Sequence, residues 1–268
     1  MDLGLKGSTV IVVGGGSNLG RACGLALAKE GANLVLTSRY GDDCQKVADE
    51  CNGLGGGGTA IAFSTDATKL DQCEALAKKT VERFGRIDGL VISMGWNRIC
   101  TFLDLAPSDW ERIIATNYWN TLCLLKAILP IMIKQKKGNL VVMASVEGRK
   151  PTTLEPVYGA LKAAQIGLFH SLAAEHGKNG LRFNIVAPAA TPPATAADRG
   201  TDSTWNTFDK EPETLKELIK DFEATTPLGS LGKATDVAKA VLFFLSDAMS
   251  GHVTGNVIGT DGGVVMGR

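Results

Sequence analysis

A chain of 268 residues, 44% of them hydrophobic, is long enough to bury a large core and still form one domain. Its 28 basic and 28 acidic residues balance, which removes the electrostatic case for nucleic acid or an anionic membrane and points to a small or neutral partner. Six cysteines lie scattered without C-x-x-C pairs, the apolar run 121–133 is interrupted by Lys126 and Pro130, and the N-terminus has no signal-peptide form. The expectation is a cytoplasmic protein with reduced thiols and no membrane span.

The β-branched run Thr9 to Val13 reads as a strand buried on both faces of a parallel sheet. It runs straight into Gly14-Gly15-Gly16-Ser17-Asn18-Leu19-Gly20 and then a helical pattern from Arg21 to Lys29. Glycines between a buried strand and a helix allow a tight turn and close backbone approach to a pyrophosphate at the helix amino end. A second strand, Asn33 to Thr37, ends in Ser38 and Arg39. The glycine-rich stretch Gly53 to Gly58 follows no strand and opens no helix, so it reads as a helix-to-strand connection. A third strand, Thr59 to Phe63, precedes Asp66 and Ala67, and a fourth, Leu90 to Ile92, runs into Ser93-Met94-Gly95-Trp96. Ser108-Asp109-Trp110-Glu111 has the form of a capping box for the helix carrying Asn117.

The apolar run Leu140 to Ala144 is strand-like and places Ser145 at a strand's carboxyl end, where open α/β sheets bind ligands. An alanine-rich helix follows with Tyr158 and Lys162 four residues apart, hence on one face about one turn from each other. A tyrosine titrates near pH 10, but a neighbouring ammonium favours the phenolate, which can exchange a proton with an alcohol or carbonyl oxygen. Tyr and Lys at that spacing are also a common surface pair. Further on come the strand Phe183 to Val186, the run Pro188-Ala189-Ala190-Thr191, and a polar segment 191–226 rich in Pro, Thr and Asp with one short helical pattern, Pro212 to Glu223. A segment of that length in a compact domain is a functional lid or is disordered; the lid is preferred here, closing with Leu215, Leu218 and Ile219. His170, His176 and His252 neither cluster nor sit at metal spacing, so no metal site is expected.

Taken together, the glycine turn, Asn117, Ser145, Tyr158 and Lys162 resemble the short-chain dehydrogenase/reductase family across nearly the whole chain. The resemblance implies a Rossmann-like α/β fold: a doubly wound parallel sheet of about seven strands in three layers, one NAD(P)-binding domain over 1–268. It implies Tyr158 as acid/base, Lys162 lowering its pKa and holding the nicotinamide ribose, Ser145 on the substrate oxygen, and Asn117, in a locally distorted helix, ordering a relay water through its backbone carbonyl. Cofactor contacts carried over are Gly14, Ser17, Asn18, Leu19, Gly20, Ser38, Arg39, Asp66, Ala67, Ser93, Gly95, Tyr158, Lys162, Pro188 and Thr191. Val13 and Asn18 replace a threonine and a glycine of the family turn; asparagine tolerates left-handed backbone, so the turn is expected to survive. Ile92 and Ser93 replace two asparagines, and Ala189 and Pro193 depart from the family's later motif, where Thr191 or Thr195 can substitute.

No acid stands at Ser38, where one would hold the ribose hydroxyls of NAD, and Arg39 offers a contact to a 2′-phosphate, so NADP is preferred over NAD. A solvated surface arginine is the alternative for Arg39, and a strand-end turn residue the alternative for Asp66. The implied reaction interconverts a secondary alcohol and a ketone. Alternatives are a 3-oxoacyl thioester reductase, an enoyl-type double-bond reductase, and, of another class, a non-catalytic dinucleotide sensor. Trp96, Arg98, Arg149, Trp205 and Phe208 are candidates for the substrate pocket. The faces of the Asn117 and Tyr158 helices read as a dimerisation surface, giving a homodimer or homotetramer, or equally as core stripes.

Overall fold

Seven short runs rich in valine, isoleucine and leucine pair side by side as one parallel sheet in the computed structural model, which describes residues 2–150, 153–195, 198–206 and 212–267. They are β1 (Thr9–Val13), β2 (Asn33–Ser38), β3 (Ala60–Ser64), β4 (Gly89–Ile92), β5 (Gly138–Met143), β6 (Leu181–Pro188) and β7 (Val257–Thr260). The order across the sheet is β3-β2-β1-β4-β5-β6-β7, with every neighbouring pair parallel. Chain order reverses between β1 and β4. That reversal is the switch point at which open α/β sheets open a crevice beyond their strand ends.

The helices are α1 (Asn18–Lys29), α2 (Gly41–Gly53), α3 (Leu70–Phe84), α4 (Pro107–Ile114), α5 (Asn120–Gln135), α6 (Pro156–His176), α7 (Pro212–Thr225), α8 (Ala234–Leu245) and α9 (Asp247–Ser250). Successive strand residues point to opposite faces, so each central strand feeds two cores. Val10, Val12, Leu34 and Leu36 join α1, α2 and α8 on one side. Ile11, Val13, Val35 and Leu90 join α3, α5 and α6 on the other. This is why those strands read as unbroken apolar runs rather than alternating ones.

One local expectation changes, and one is met in a particular form. The helix expected to be capped by Ser108 starts two residues earlier, on Pro107, with Ala106 as its cap and no side-chain capping bond, because proline's fixed backbone suits the first helical position. Asp109 lies in the first turn of that helix and pairs with Arg98 at 3.0 Å. Between α4 and α5 the chain also winds a five-residue π turn, Ala115–Trp119, with Asn117 at its centre. Such a turn inserts an extra residue into the helical ladder and changes which side chains and carbonyls point inward.

Candidate active site

Beyond the carboxyl ends of β1, β4, β5 and β6 lies a cavity of about 570 Å³. The glycine turn forms one end. Gly14 sits at φ 81° and Asn18 at φ 34°, so the asparagine does adopt the left-handed backbone that its side chain tolerates. A Cβ on Gly20 would stand 2.0 Å from the Gly14 carbonyl oxygen, so the first turn of α1 folds directly onto the strand end. Ser93, which replaces a family asparagine, donates from Oγ to the Val13 carbonyl at 2.6 Å and so braces the same corner. Asn18 Nδ2 donates to the Thr191 carbonyl at 3.1 Å, while its Oδ1 is buried with no partner among the described residues. The first turn of α1 carries no acidic side chain. A bare helix amino end, a glycine cradle and a buried free acceptor fit the pyrophosphate and amide of a dinucleotide.

Ser145, Tyr158 and Lys162 converge at the other end of the same cavity. Ser145 follows β5 directly and caps a short 3-10 turn, Val146–Gly148; its Oγ donates to the Glu147 carboxylate. Ser145 lies near enough to Tyr158 to favour its ionised form, an effect that burial outweighs. Lys162 is buried at 2% exposure, and its Nζ lies 5.4 Å from the centre of the Tyr158 ring. That ammonium donates to the Met143 carbonyl at 2.8 Å and to Gln165 Oε1 at 3.1 Å. Gln165 Nε2 in turn donates to Thr121 Oγ1 at 3.0 Å, and Thr121 Oγ1 donates to Asn120 Oδ1 at 3.2 Å, so a buried polar chain ties α6 to α5.

The electrostatics differ from the expectation that Lys162 pulls the tyrosine down. Burial, followed by the Glu147 and Glu155 carboxylates, pushes the Tyr158 hydroxyl well above its ordinary value. Burial also lowers Lys162 to about 7 despite Glu147. Glu155, held by Asn97 Nδ2 at 2.5 Å, rises to about 7 through burial and the Glu147 charge. Neither glutamate was singled out from sequence, since a glutamate in a polar stretch reads as solvated until the fold turns it inward.

Asn117 is fully buried within the π turn; its Nδ2 donates to the Trp96 carbonyl at 2.7 Å and to the Ile113 carbonyl at 2.9 Å. Its Oδ1 lies 2.9 Å from where a Gly95 Cβ would be, so glycine at 95 lets it approach. Gly14, Ser17, Asn18, Leu19, Gly20, Ser38, Arg39, Ser93, Gly95, Pro188 and Thr191 all line the cavity. Asp66 and Ala67 do not: Asp66 Oδ1 accepts from the Thr68 N–H at 3.0 Å and from its hydroxyl at 2.7 Å in a turn, and Ala67 is fully buried in the core. Trp96 and Trp205 line the cavity, whereas Arg98 is paired with Asp109 and Arg149 donates to the Gly267 carbonyl at 3.0 Å. Phe208 and the side chains of Leu215 and Leu218 lie outside the described residues. Thr195 is spent on Asp198, at 2.8 Å through its hydroxyl.

Residues 198–206 form a strap along the cavity. Asp198 pairs with Arg21 at 2.8 Å, and Asp202 pairs with Arg39 at 2.9 Å and with Arg112 at 2.5 Å. Thr201 Oγ1 donates to Asp43 at 2.9 Å. Arg39 is exposed, as the surface alternative had it, and ion-paired with Asp202 beside Ser38 at the β2 end. Among the described residues, no group of histidine, cysteine and acidic side chains could hold a metal ion, and no helix is long and apolar enough to cross a membrane.

The chain matches the family described as enoyl-(acyl carrier protein) reductase over residues 14–265. It is 32% identical over 263 residues to the 3-oxoacyl-(acyl-carrier-protein) reductase FabG of Thermotoga maritima, covering 98% of this chain and 99% of that protein. It is likewise 32% identical over 260 residues to dehydrogenase/reductase SDR family member 6 of Danio rerio, covering 97% of this chain and 98% of that one. The crystal structure of levodione reductase superposes with a TM-score of 0.88 at 28% identity, covering 97% and 98% of the two chains. A seven-stranded doubly wound sheet with this crevice defines an NAD(P)-dependent oxidoreductase working between alcohols and ketones. The chain belongs to the short-chain dehydrogenase/reductase family.

Proposed function

We propose that this chain interconverts a secondary alcohol and a ketone with Tyr158 as the proton donor and acceptor. The observation that carries this is the meeting of Ser145, Tyr158 and buried Lys162 at one end of a cavity whose other end is the glycine turn. Ser145 and Tyr158 orient the substrate oxygen, Lys162 holds the ribose nearest the reaction, and Asn117 presents its π turn to the proton path. When bound, the nicotinamide dinucleotide supplies the hydride acceptor or donor. A sensor has no use for an ammonium buried beside a tyrosine, because such burial is costly and needs a return. The relation to the 3-oxoacyl reductase supports an acyl thioester ketone as a second reading of the substrate. In this reading the protein is cytoplasmic, and the outer faces of α5 and α6 build a homodimer or homotetramer.

NADP is the proposed cofactor, with Ser38 leaving room for a 2′-phosphate and Arg39 turning from Asp202 to meet it. Asp202 keeps Arg112 in that exchange. A panel of ketones and alcohols, scored by cofactor absorbance, is expected to give a catalytic efficiency with NADPH about tenfold above that with NADH, the scale of one hydrogen bond to a charged group. Arg39→Ala is expected to erase the difference. Equal efficiencies in the parent protein, or a greater one with NADH, reject the assignment.

We also place a lid at 191–226, hinged after β6. Its described part is held by ion pairs between partly exposed side chains, which individually stabilise little. Hydrogen exchange in 198–206 and 212–225 is therefore expected to be fast in the free protein and to slow on forming the ternary complex, while β5 stays protected throughout. High protection in the free protein identifies a rigid insertion instead.

A further inference from the structure

The strap 198–206 touches the cofactor half of the cavity at several points, and one of them is the arginine proposed to select NADP. Asp198 pairs with Arg21, Thr201 Oγ1 donates to Asp43, and a Cβ on Gly200 would lie 2.7 Å from Ser17 Oγ, so the strap crosses the mouth of the glycine turn. Asp202 lines the cavity as well. Its two oxygens are divided: Oδ2 accepts from Arg39 Nη2 at 2.9 Å and Oδ1 from Arg112 Nη2 at 2.5 Å. Arg112 in turn lies with its guanidinium carbon 3.7 Å from the centre of the Trp96 ring, at the wall of the same cavity. One carboxylate thus bridges the end of β2 and helix α4.

Ser38 does not share the work of Arg39. Its hydroxyl donates to the Tyr40 carbonyl at 3.0 Å and accepts from the Tyr40 N–H at 3.1 Å and from Cys44 Sγ at 3.3 Å, so its one proton is committed within the turn. A phosphate beside Ser38 depends on Arg39 for its charged contact, and the anion already on Arg39 is Asp202. Like charges at one guanidinium repel, so the acid and the phosphate compete for it.

We propose that Asp202 is a specificity-determining latch: it holds Arg39 to the strap until a 2′-phosphate displaces it, whereas a nucleotide lacking that phosphate leaves the latch in place. The inference rests on the assignment of Arg39 to the 2′-phosphate. The exchange is open because the pair that breaks joins side chains 37% and 30% exposed, and such a pair stabilises little. A phosphate brings more charge than a carboxylate to the same fork. Asp202 stays bonded to Arg112, and Thr201 to Asp43, so the strap keeps its place over the glycine turn and Trp96 keeps its cation. The strap's own acid therefore holds the preference for NADP below what Arg39 alone would give.

Calorimetric titration with adenosine 2′,5′-bisphosphate and with 5′-AMP tests this, because the ratio of the two affinities isolates the 2′-phosphate and needs no turnover. Asp202→Asn keeps the size of the side chain and removes its charge. It should raise the ratio in favour of the bisphosphate about fivefold above the parent's, the scale of one partly exposed ion pair. Arg39→Ala should remove the preference, and in the double variant the asparagine should add nothing. Asp202→Ser, which withdraws most of the acceptor as well, carries the same expectation where the asparagine variant is unstable. A ratio in Asp202→Asn no higher than the parent's, with the preference still lost in Arg39→Ala, overturns the latch and leaves the assignment of Arg39 standing. A gain that survives in the double variant overturns it too, since it belongs to the general charge of the cavity. So does a ratio that rises only because 5′-AMP binds more weakly, which assigns Asp202 to the ribose hydroxyls. If neither the parent nor Asp202→Asn prefers the bisphosphate, or if Arg39→Ala keeps the preference, the assignment of Arg39 fails and the latch fails with it.

Discussion

Tyr158→Phe is expected to lose at least about a hundredfold in turnover in both directions while binding the dinucleotide as the parent does. The change removes one oxygen, and the ring keeps its place against α6, so cofactor affinity and thermal midpoint serve as controls. Ser145 and Glu147 would remain bonded to each other, with no group left to exchange a proton with the substrate oxygen. Removing only the phenol thus separates proton transfer from binding. Turnover within a few-fold of the parent, on the best substrate the panel yields, rejects Tyr158 as the acid/base.

The second large effect is expected from a single methyl group. In Gly20→Ala the new Cβ would meet the Gly14 carbonyl oxygen at 2.0 Å, its carbon at 2.6 Å and Ser93 Oγ at 2.7 Å. Two of these atoms are backbone, so no side chain can swing away; α1 must move off β1. That displacement opens the turn meant to receive the pyrophosphate and disturbs the first core. We expect dinucleotide affinity to fall at least about tenfold, about 1.4 kcal/mol, and stability to drop by about 1–3 kcal/mol. Gly53→Ala, at a position where a Cβ meets nothing within 4 Å, provides the comparison and should leave both unchanged. Calorimetric titration and thermal unfolding of the two variants give the answer. Indistinguishable behaviour of Gly20→Ala and Gly53→Ala would remove the close approach of turn and strand from the account.

Much of the fold was legible because a buried parallel strand leaves a plain mark. Val10 to Val13 and Leu140 to Val142 are apolar at every position, as burial on two faces demands. The nearness of Tyr158 and Lys162 was legible for a different reason: they share one helix, so their spacing alone puts them on a common face. What stayed hidden depended on residues distant in sequence. Glu155 becomes a raised, buried acid only because Asn97 and Glu147 are brought to it. Arg39 finds its partner 163 positions away in Asp202, and no local pattern announces that pair. The π turn at Asn117 leaves no mark in helix propensity, which does not distinguish four residues per bond from five; only the family resemblance led one to expect a distorted helix there. At Ser108 a local signal misled, because Pro107 starts the helix regardless of the serine beside it.

The polar chain from Lys162 through Gln165 and Thr121 to Asn120 has a consequence for how this sequence can drift. Each member lies at 2% exposure or less, so each relies on the next for its hydrogen bonds. Loss of one partner leaves the remaining group desolvated and unpaired, whereas replacing partners together can be nearly neutral. Positions 121 and 165, on different helices, are therefore expected to change jointly or not at all. Lys162 comes with a scaffold of neighbours, and a graft of Tyr158 and Lys162 into another helix without them would transplant the residues but not the position of the Lys162 amine.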